Sequence, residues 1–431
     1  MTELPGYRRY TALTFVQATY VGTRRYLIDI NFRRLIDSTL HNHRAIQIGL
    51  VCLVLLSAAG CGNDRATNAR ADVVASLSGD ADDGFERAVA PMAFQFPRDH
   101  GPHPSYRTEW WYYTGNLEDD AGREIGFQFT IFRNALSSEA VARTSHLAAN
   151  QVYMAHLALT NVDEQRHVAF ERYSRGDGNL AGGSGKPAFA VWLEDWTVEE
   201  VEPGQFRLSA STQDEGGSQF AVDLILQETR APVLHGDEGL SRKGPEAGNA
   251  SYYYSLIGLE TSGQIVWAGN EYDVSGTSWM DHEFGSSMLS RNATGWDWFS
   301  VQLDGGLALM FARIRTADGG QITEFTGTLV DADGQTTPLP AQDLQLEVLD
   351  EWTSPQTGIR YPSGWRAAFP SHDIELEITP KIPQQEMETS FIYWEGAVDV
   401  TGTVAGTVVS GEGYVELTGY GQTDDGAQLV R

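Results

Sequence analysis

At 431 residues the chain is long enough for two domains with substantial cores, and 45 glycines, an 11% aromatic content and few helix-favouring runs point to β structure. The formal net charge is −28; without residues 1–60 it is −32, from 23 basic and 55 acidic residues. Such a surface repels phosphate backbones and excludes nucleic acid as a partner. The two cysteines, Cys52 and Cys61, both belong to an apolar N-terminal segment and leave no disulfide framework for a mature protein.

That segment, 46–60, follows Arg44 and is too short for a comfortable membrane span but suits the apolar core of a signal peptide. It ends Ala58-Ala59-Gly60-Cys61, which resembles a bacterial lipobox. Residues 1–61 are therefore expected to be an N-terminal extension and lipoprotein signal peptide, with Cys61 as the lipidated first residue of the mature chain. Polar residues 62–92 then form a flexible tether. Gly62 lacks the aspartate associated with inner-membrane retention, so in a Gram-negative cell the expectation is a lipid anchor on the periplasmic face of the outer membrane. The arginine-rich stretch 1–43 is long for a leader, which suggests a translation start near Leu40.

From Phe94 onward, short alternating runs are separated by Gly, Asp and Asn turns. Residues 108–117 and 124–133 flank Asp119-Asp120-Ala121-Gly122; in the second run Ile125, Phe127, Phe129 and Ile131 share one face, a β-hairpin signature. Further strands are expected at 152–160, 167–173, 189–201, 206–211, 220–227, 252–259 and 264–272. The Gly- and charge-rich stretches 174–186 and 234–250 are expected as surface loops. The same pattern resumes at 298–303, 307–315, 324–330, 344–352, 364–369, 374–379, 393–400 and 415–420. Evenly spaced strands of this kind suit a small antiparallel barrel, which closes its own edges. The expected domains are 93–290 and 291–431.

The polar-aromatic run 277–299 lies at their junction and holds the first candidate site residues. Alternation puts Met280, His282 and Phe284 on one strand face and Trp279, Asp281 and Glu283 on the other. His282 is then a titratable ring among apolar neighbours, with Asp281 and Glu283 in support, or else a core histidine bonded to a carbonyl. Asp297 shares a face with Phe299 and Val301, opposite Trp296 and Trp298, and must be either ion-paired or raised in pKa as a general acid is. Glu109 sits with Trp111 and Tyr113, opposite Trp110 and Tyr112. Aromatic walls of this kind could hold an extended apolar ligand and stabilise a passing cation. Asp99, His100 and His103 form D-H-x-x-H, but the adjacent Pro102 and Pro104 favour a rigid turn over a metal site, and none is expected. A G-x-S-x-G elbow and a Gly-rich phosphate loop are both missing.

FPRDHGPHPSYRTEWWYYTGNL (96–117), SWMDHEFG (278–285), GWDWFSVQLDGG (295–306), YPSGWR (361–366), YWEGAV (393–398) and GEGYVELTGY (411–420) carry a resemblance across nearly all of 94–420. The chain resembles the family of AttH-type secreted lipoproteins and bacterial carotenoid 1,2-hydratase (hydroxyneurosporene synthase). The resemblance implies an all-β fold of two lipocalin-like (calycin) antiparallel β-barrel domains in tandem, an architecture that fungal pericyclases of decalin biosynthesis share. It also implies, for hydratase members, addition of water to an acyclic carotenoid without a cofactor. The hydratase's catalytic histidine matches His282, and its acidic partner corresponds to Asp297; Phe284 stands where the hydratase has tryptophan. Two functions are expected from this. The first is an exported lipoprotein that binds an apolar lipid or isoprenoid-like ligand through Glu109, Trp110, Trp111, Tyr113, Phe284, Trp296 and Trp298, with ABC-type transporter components as partners. The alternative is a cofactor-independent hydratase-like enzyme, or secreted hydrolase, acting on an apolar substrate by acid catalysis.

Overall fold

The structure, a computed structural model, describes Leu77 and residues 84–139, 149–177 and 179–421. The expected leader, the lipidation site Cys61 and most of the tether lie outside the described residues. No described helix is long and apolar enough to cross a membrane.

Period-two alternation sets the first hairpin. Along Glu124–Ala135 the side chains of Ile125, Phe127, Phe129 and Ile131 are all buried on one side. They pair antiparallel with Thr108–Asp119, with Trp111 opposite Ile131 and Tyr113 opposite Phe129. Asp119 organises the turn by accepting from the backbone N–H groups of Ala121 (2.9 Å) and Arg123 (3.0 Å).

The first sheet runs Arg166–Arg175, Gln151–Asn161, Glu124–Ala135, Thr108–Asp119, Asn270–Gly285, Ala250–Trp267, Gln219–Gln227, Gln205–Gln213, Trp196–Glu202, Ala190–Leu193 and Ala181–Ser184, each antiparallel to the next. It curls on itself, so Ile131 and Leu157 near one end share a core with Val191 and Leu193 near the other. A second antiparallel sheet, from Ala293–Leu303 to Thr407–Leu417, encloses Phe299, Phe311, Trp365 and Trp394. The protein is all-β, with two lipocalin-like antiparallel barrels in tandem.

Several stretches differ from expectation; residues 344–352, expected as one strand, form Gln345–Val348 and the start of Glu351–Thr353, which belong to different sheets. Residues 264–272 are not one strand: a hairpin turn at Ala268 (φ 49°) and Gly269 (φ 84°) joins Ala250–Trp267 to Asn270–Gly285. Residues 189–201 are likewise split at Glu194 (φ 58°) into Ala190–Leu193 and Trp196–Glu202. Left-handed turns of this type are announced in sequence by Asn or Asp before Gly, and Ala-Gly gives no such signal. The loops 174–186 and 234–250 carry short strands of their own, Ala181–Ser184 and Leu240–Arg242.

The two sheets meet through a third apolar cluster that includes Tyr112, Trp279, Trp298, Met310, Ala397 and Tyr414. Lys381, its side chain 3% exposed, joins Glu124 of the first sheet (3.1 Å) to Asp399 and Glu412 of the second (2.7 Å each). The sheets leave no room for a side chain at Gly126, where an added Cβ would lie 2.7 Å from the Tyr414 hydroxyl and 3.0 Å from the Ala397 Cβ. Gly126→Ala is therefore expected to destabilise the protein by about 1–3 kcal/mol, as overpacking does, and to lower the urea midpoint accordingly.

Candidate functional site

Two strands at the centre of the first sheet commit both their faces. On Asn270–Gly285, Met280, His282 and Phe284 point to the inner side of the first barrel, while Trp279, Asp281 and Glu283 point into the space between the sheets. Glu109, Trp111 and Tyr113 on Thr108–Asp119 face inward beside His282; Trp110 and Tyr112 face the other barrel.

Inside the first barrel, Glu109 is fully buried and saturated. It accepts from Arg133 Nε (2.7 Å), His282 Nε2 (2.9 Å), His103 Nδ1 (2.8 Å) and the His103 backbone N–H (2.9 Å). Burial opposes its charge, but Arg133, His103 and His282 together hold its pKa well below the ordinary carboxylate range. Because Nε2 of His282 donates to this carboxylate, Nδ1 accepts from the Tyr254 hydroxyl (2.9 Å). Tyr254 in turn accepts from His100 Nδ1 (2.7 Å), and Trp111 stacks on His282 at 4.9 Å. Burial lowers the pKa of His282, and that of His100 to about 3, so both rings are neutral. The ring and carboxylate donors of His103, Glu109 and His282 lie within 4.8 Å of one another, as metal ligands would. Arg133 already neutralises Glu109, however, and a divalent ion would add unbalanced charge to a dry site, so the charges favour the hydrogen-bonded arrangement. The two histidines of D-H-x-x-H diverge, His100 to Tyr254 and His103 to Glu109.

Asp297 is not brought to His282. It lies on the second sheet as a buried acceptor for Arg313 (2.6 Å), Arg315 and the Tyr420 hydroxyl (2.8 Å), the ion-paired form of the two that its position allowed. Neither His282 nor Asp297 borders the cavity described next.

Between the sheets lies a cavity of about 400 Å³ whose wall is mostly apolar, with Trp110, Phe132, Trp296 and Trp298 among its aromatic residues. Four carboxyl groups face it: Asp281, Glu283, Glu395 and Glu416. Lys243 pairs with Glu283 at 2.7 Å and leaves three acids without a cation. Glu395 and Glu416 stand directly opposite each other on the antiparallel strands Ile392–Val404 and Thr407–Leu417. Burial and the neighbouring Glu416 charge raise the Glu395 pKa well above its usual value; burial, with the nearby Asp281 and Glu283, raises that of Glu416 to about 7. Two buried carboxyls so placed cannot both ionise cheaply, so the pair retains a proton near neutral pH. Glu395 Oε1 accepts from the Tyr112 hydroxyl and Glu416 from Trp296 Nε1 (2.9 Å), whereas Glu395 Oε2 is buried without a hydrogen-bond partner. Burial also raises Asp281 to about 7, although Tyr253 (2.7 Å), Trp279 (2.7 Å) and Ser255 all donate to it.

Of the residues expected at a site, Trp110, Asp281, Glu283, Trp296 and Trp298 line this cavity, and Glu109, Trp111, Tyr113, His282 and Phe284 belong to the barrel interior. Glu395 and Glu416 were not singled out from the sequence, although both lie in the motifs YWEGAV and GEGYVELTGY. The available signal was a glutamate within a run that is apolar on both strand faces, which leaves a carboxyl no solvated side to occupy.

The two sites should respond to pH in opposite senses. The folded pKa of Glu109 is depressed, so its contribution is present above the unfolded value near 4.5 and lost as pH falls through the folded value. Glu109→Gln should cost roughly 3–5 kcal/mol at pH 7 by stranding Arg133, and progressively less in acid. The Glu416 pKa is raised, so its favourable contribution is complete below about 4.5 and lost as pH rises through about 7. Glu416→Gln should stabilise the protein at pH 8 and change little at pH 5, as followed by thermal unfolding.

Comparison with known proteins places this geometry in a family. A crystal structure of an AttH protein from Nitrosomonas europaea is 36% identical, with a TM-score of 0.69, and covers 78% of this chain and 100% of its own. Kievitone hydratase from Nectria haematococca shares the fold at 13% identity and a TM-score of 0.59, covering 78% of this chain and 95% of its own. No curated protein matches the sequence. The AttH-like family profile matches residues 87–420, a span that includes both barrels and every residue of the cluster and cavity named above, and the chain belongs to the AttH-like family.

Proposed function

We propose that the protein is a cofactor-independent enzyme of the hydratase type, which adds water to a carbon–carbon double bond of an apolar substrate held in the cavity between the sheets. The observation that carries this reading is the opposed, buried Glu395–Glu416 pair, with Glu395 Oε2 unpartnered in an aromatic-lined cavity. A ligand carrier gains nothing from ionisable groups in such a wall, and burying them costs stability. A general acid needs its proton retained near neutral pH and free of competing acceptors, and Glu395 meets both conditions. Sharing of the fold by a hydratase is consistent with this chemistry.

In this reading the Glu395 carboxyl protonates one alkene carbon and becomes a carboxylate. The cation left on the other carbon lies among the faces of Trp110, Trp296 and Trp298, whose quadrupoles stabilise positive charge, and near the Asp281 carboxyl. Water then captures it. The cavity admits the end of an isoprenoid chain more readily than its whole length, which fits attack at a terminal double bond.

Incubation with the acyclic carotenoid lycopene in ¹⁸O-water should give an alcohol carrying one ¹⁸O by mass spectrometry. Glu395→Gln should lower the rate by about 10²–10⁴-fold, the range of general acid catalysis. Activity requires the Glu395 proton, and burial with the facing Glu416 raises the Glu395 pKa well above the usual carboxylate value, so the rate should persist above the ordinary carboxylate range and fall only as pH rises through that raised value. Label incorporation no greater than in Glu395→Gln would contradict the reading.

A further inference from the structure

The cavity wall carries a second hydrogen-bonded array that acid donation leaves unused. His156, on Gln151–Asn161 of the first sheet, is buried at 1% exposure and borders the cavity, as does Tyr393 of the second sheet. Its Nε2 lies 3.0 Å from Glu171 Oε1, directly across the ladder on Arg166–Arg175, and its Nδ1 lies 2.8 Å from the Tyr393 hydroxyl. Glu171 is itself fixed, accepting from Ser390 Oγ (2.6 Å), the Ser390 backbone N–H (3.2 Å) and the Tyr173 hydroxyl (3.1 Å). Burial works against its charge, but the bonds from His156 and Ser390 keep its pKa below the usual value. An ionised carboxylate only accepts, so Nε2 carries a ring hydrogen, and in the neutral ring Nδ1 accepts from the Tyr393 O–H. Burial and the nearby Glu395 and Glu416 raise the Tyr393 pKa well above its ordinary value, so Tyr393 keeps its proton until another arrives. This is the arrangement of a carboxylate-oriented histidine acting on a hydroxyl, with tyrosine in the place of a nucleophile.

We propose that Tyr393, His156 and Glu171 form a proton relay that takes up the proton released when water adds in the cavity, a role that rests on the hydration reading of the same site. As the water oxygen bonds to the cationic carbon, one water O–H breaks and its proton passes to the Tyr393 oxygen. The Tyr393 proton moves at the same time to His156 Nδ1, and Glu171 stabilises the imidazolium. Tyr393 and Glu395 are two residues apart on one strand face, about 7 Å. The stored proton returns through the Tyr393 oxygen and the next incoming water, which bridges that span, to the Glu395 carboxylate, so alkene plus water gives alcohol with no net proton exchanged. Tyr393 is the group that meets the reacting water; His156 and Glu171 act through it as positioning residues.

Two readouts on the full chain test this. In ¹⁵N-histidine-labelled protein, His156 should be the Nε2–H tautomer near neutral pH, and Glu171→Gln should shift it toward a mixture. With lycopene as probe, Tyr393→Phe and Glu171→Gln should each lower kcat at least tenfold and leave KM within about twofold. An Nδ1–H tautomer in the unaltered protein, or an unchanged kcat in both variants, would overturn the relay. If the unaltered protein leaves lycopene unhydrated, the hydration reading fails on that probe, and the tautomer alone decides the relay.

Discussion

A β-strand has two faces, and the alternation of side chains between them is the constraint on which this structure depends. Most barrel strands bury one face and solvate the other. Here Thr108–Asp119 and the 278–285 half of Asn270–Gly285 bury both, because a second barrel covers what would be the outer surface of the first. One face supplies Glu109 and His282 to the barrel interior and the other supplies Trp110, Tyr112, Asp281 and Glu283 to the cavity between sheets. A single-residue slip in the pairing of these strands would exchange the two sets and destroy both sites at once.

The two clusters show how charge balance decides what a buried carboxyl becomes. Glu109 has a guanidinium, two imidazoles and a backbone amide around it, and every oxygen is occupied, so it is an anion whose work is structural: it fixes two histidine rings and one arginine. In the cavity, four carboxyls face Lys243, and Arg133, which also borders it, is committed to Glu109. Burial therefore raises pKa values there, and protons that would be lost in water are kept. Similar residue types thus give a rigid ionic knot in one place and a store of acid in another, separated by the thickness of one sheet.

The sequence made the strand grammar legible wherever apolar residues alternate and turns carry Asp or Gly in familiar order, as at 108–133. It misread 264–272 because Ala268-Gly269 lacks the usual hairpin signal, although the backbone there is left-handed at both positions. Period-two alternation, which needs only local sequence, separates His282 from Asp281. It could not show that the Asp281 face looks onto a second barrel, nor that Glu395, more than a hundred residues away in sequence, stands opposite Glu416 and beside Tyr112. Those contacts depend on pairing register and on how the two barrels dock, which no local window contains. For Asp297 the sequence left two readings open, and Arg313 and Arg315 on the neighbouring strand supply the ionic one.

The account stands on a proton held by the Glu395–Glu416 pair at neutral pH. The infrared difference spectrum between the unaltered protein and Glu395→Gln at pH 7 measures it most directly. The account predicts that a protonated-carboxyl C=O stretch, shifted in heavy water, is present in the unaltered protein and lost in the variant. A difference spectrum showing only the loss of carboxylate bands would mean that the pair is ionised, and would contradict the account.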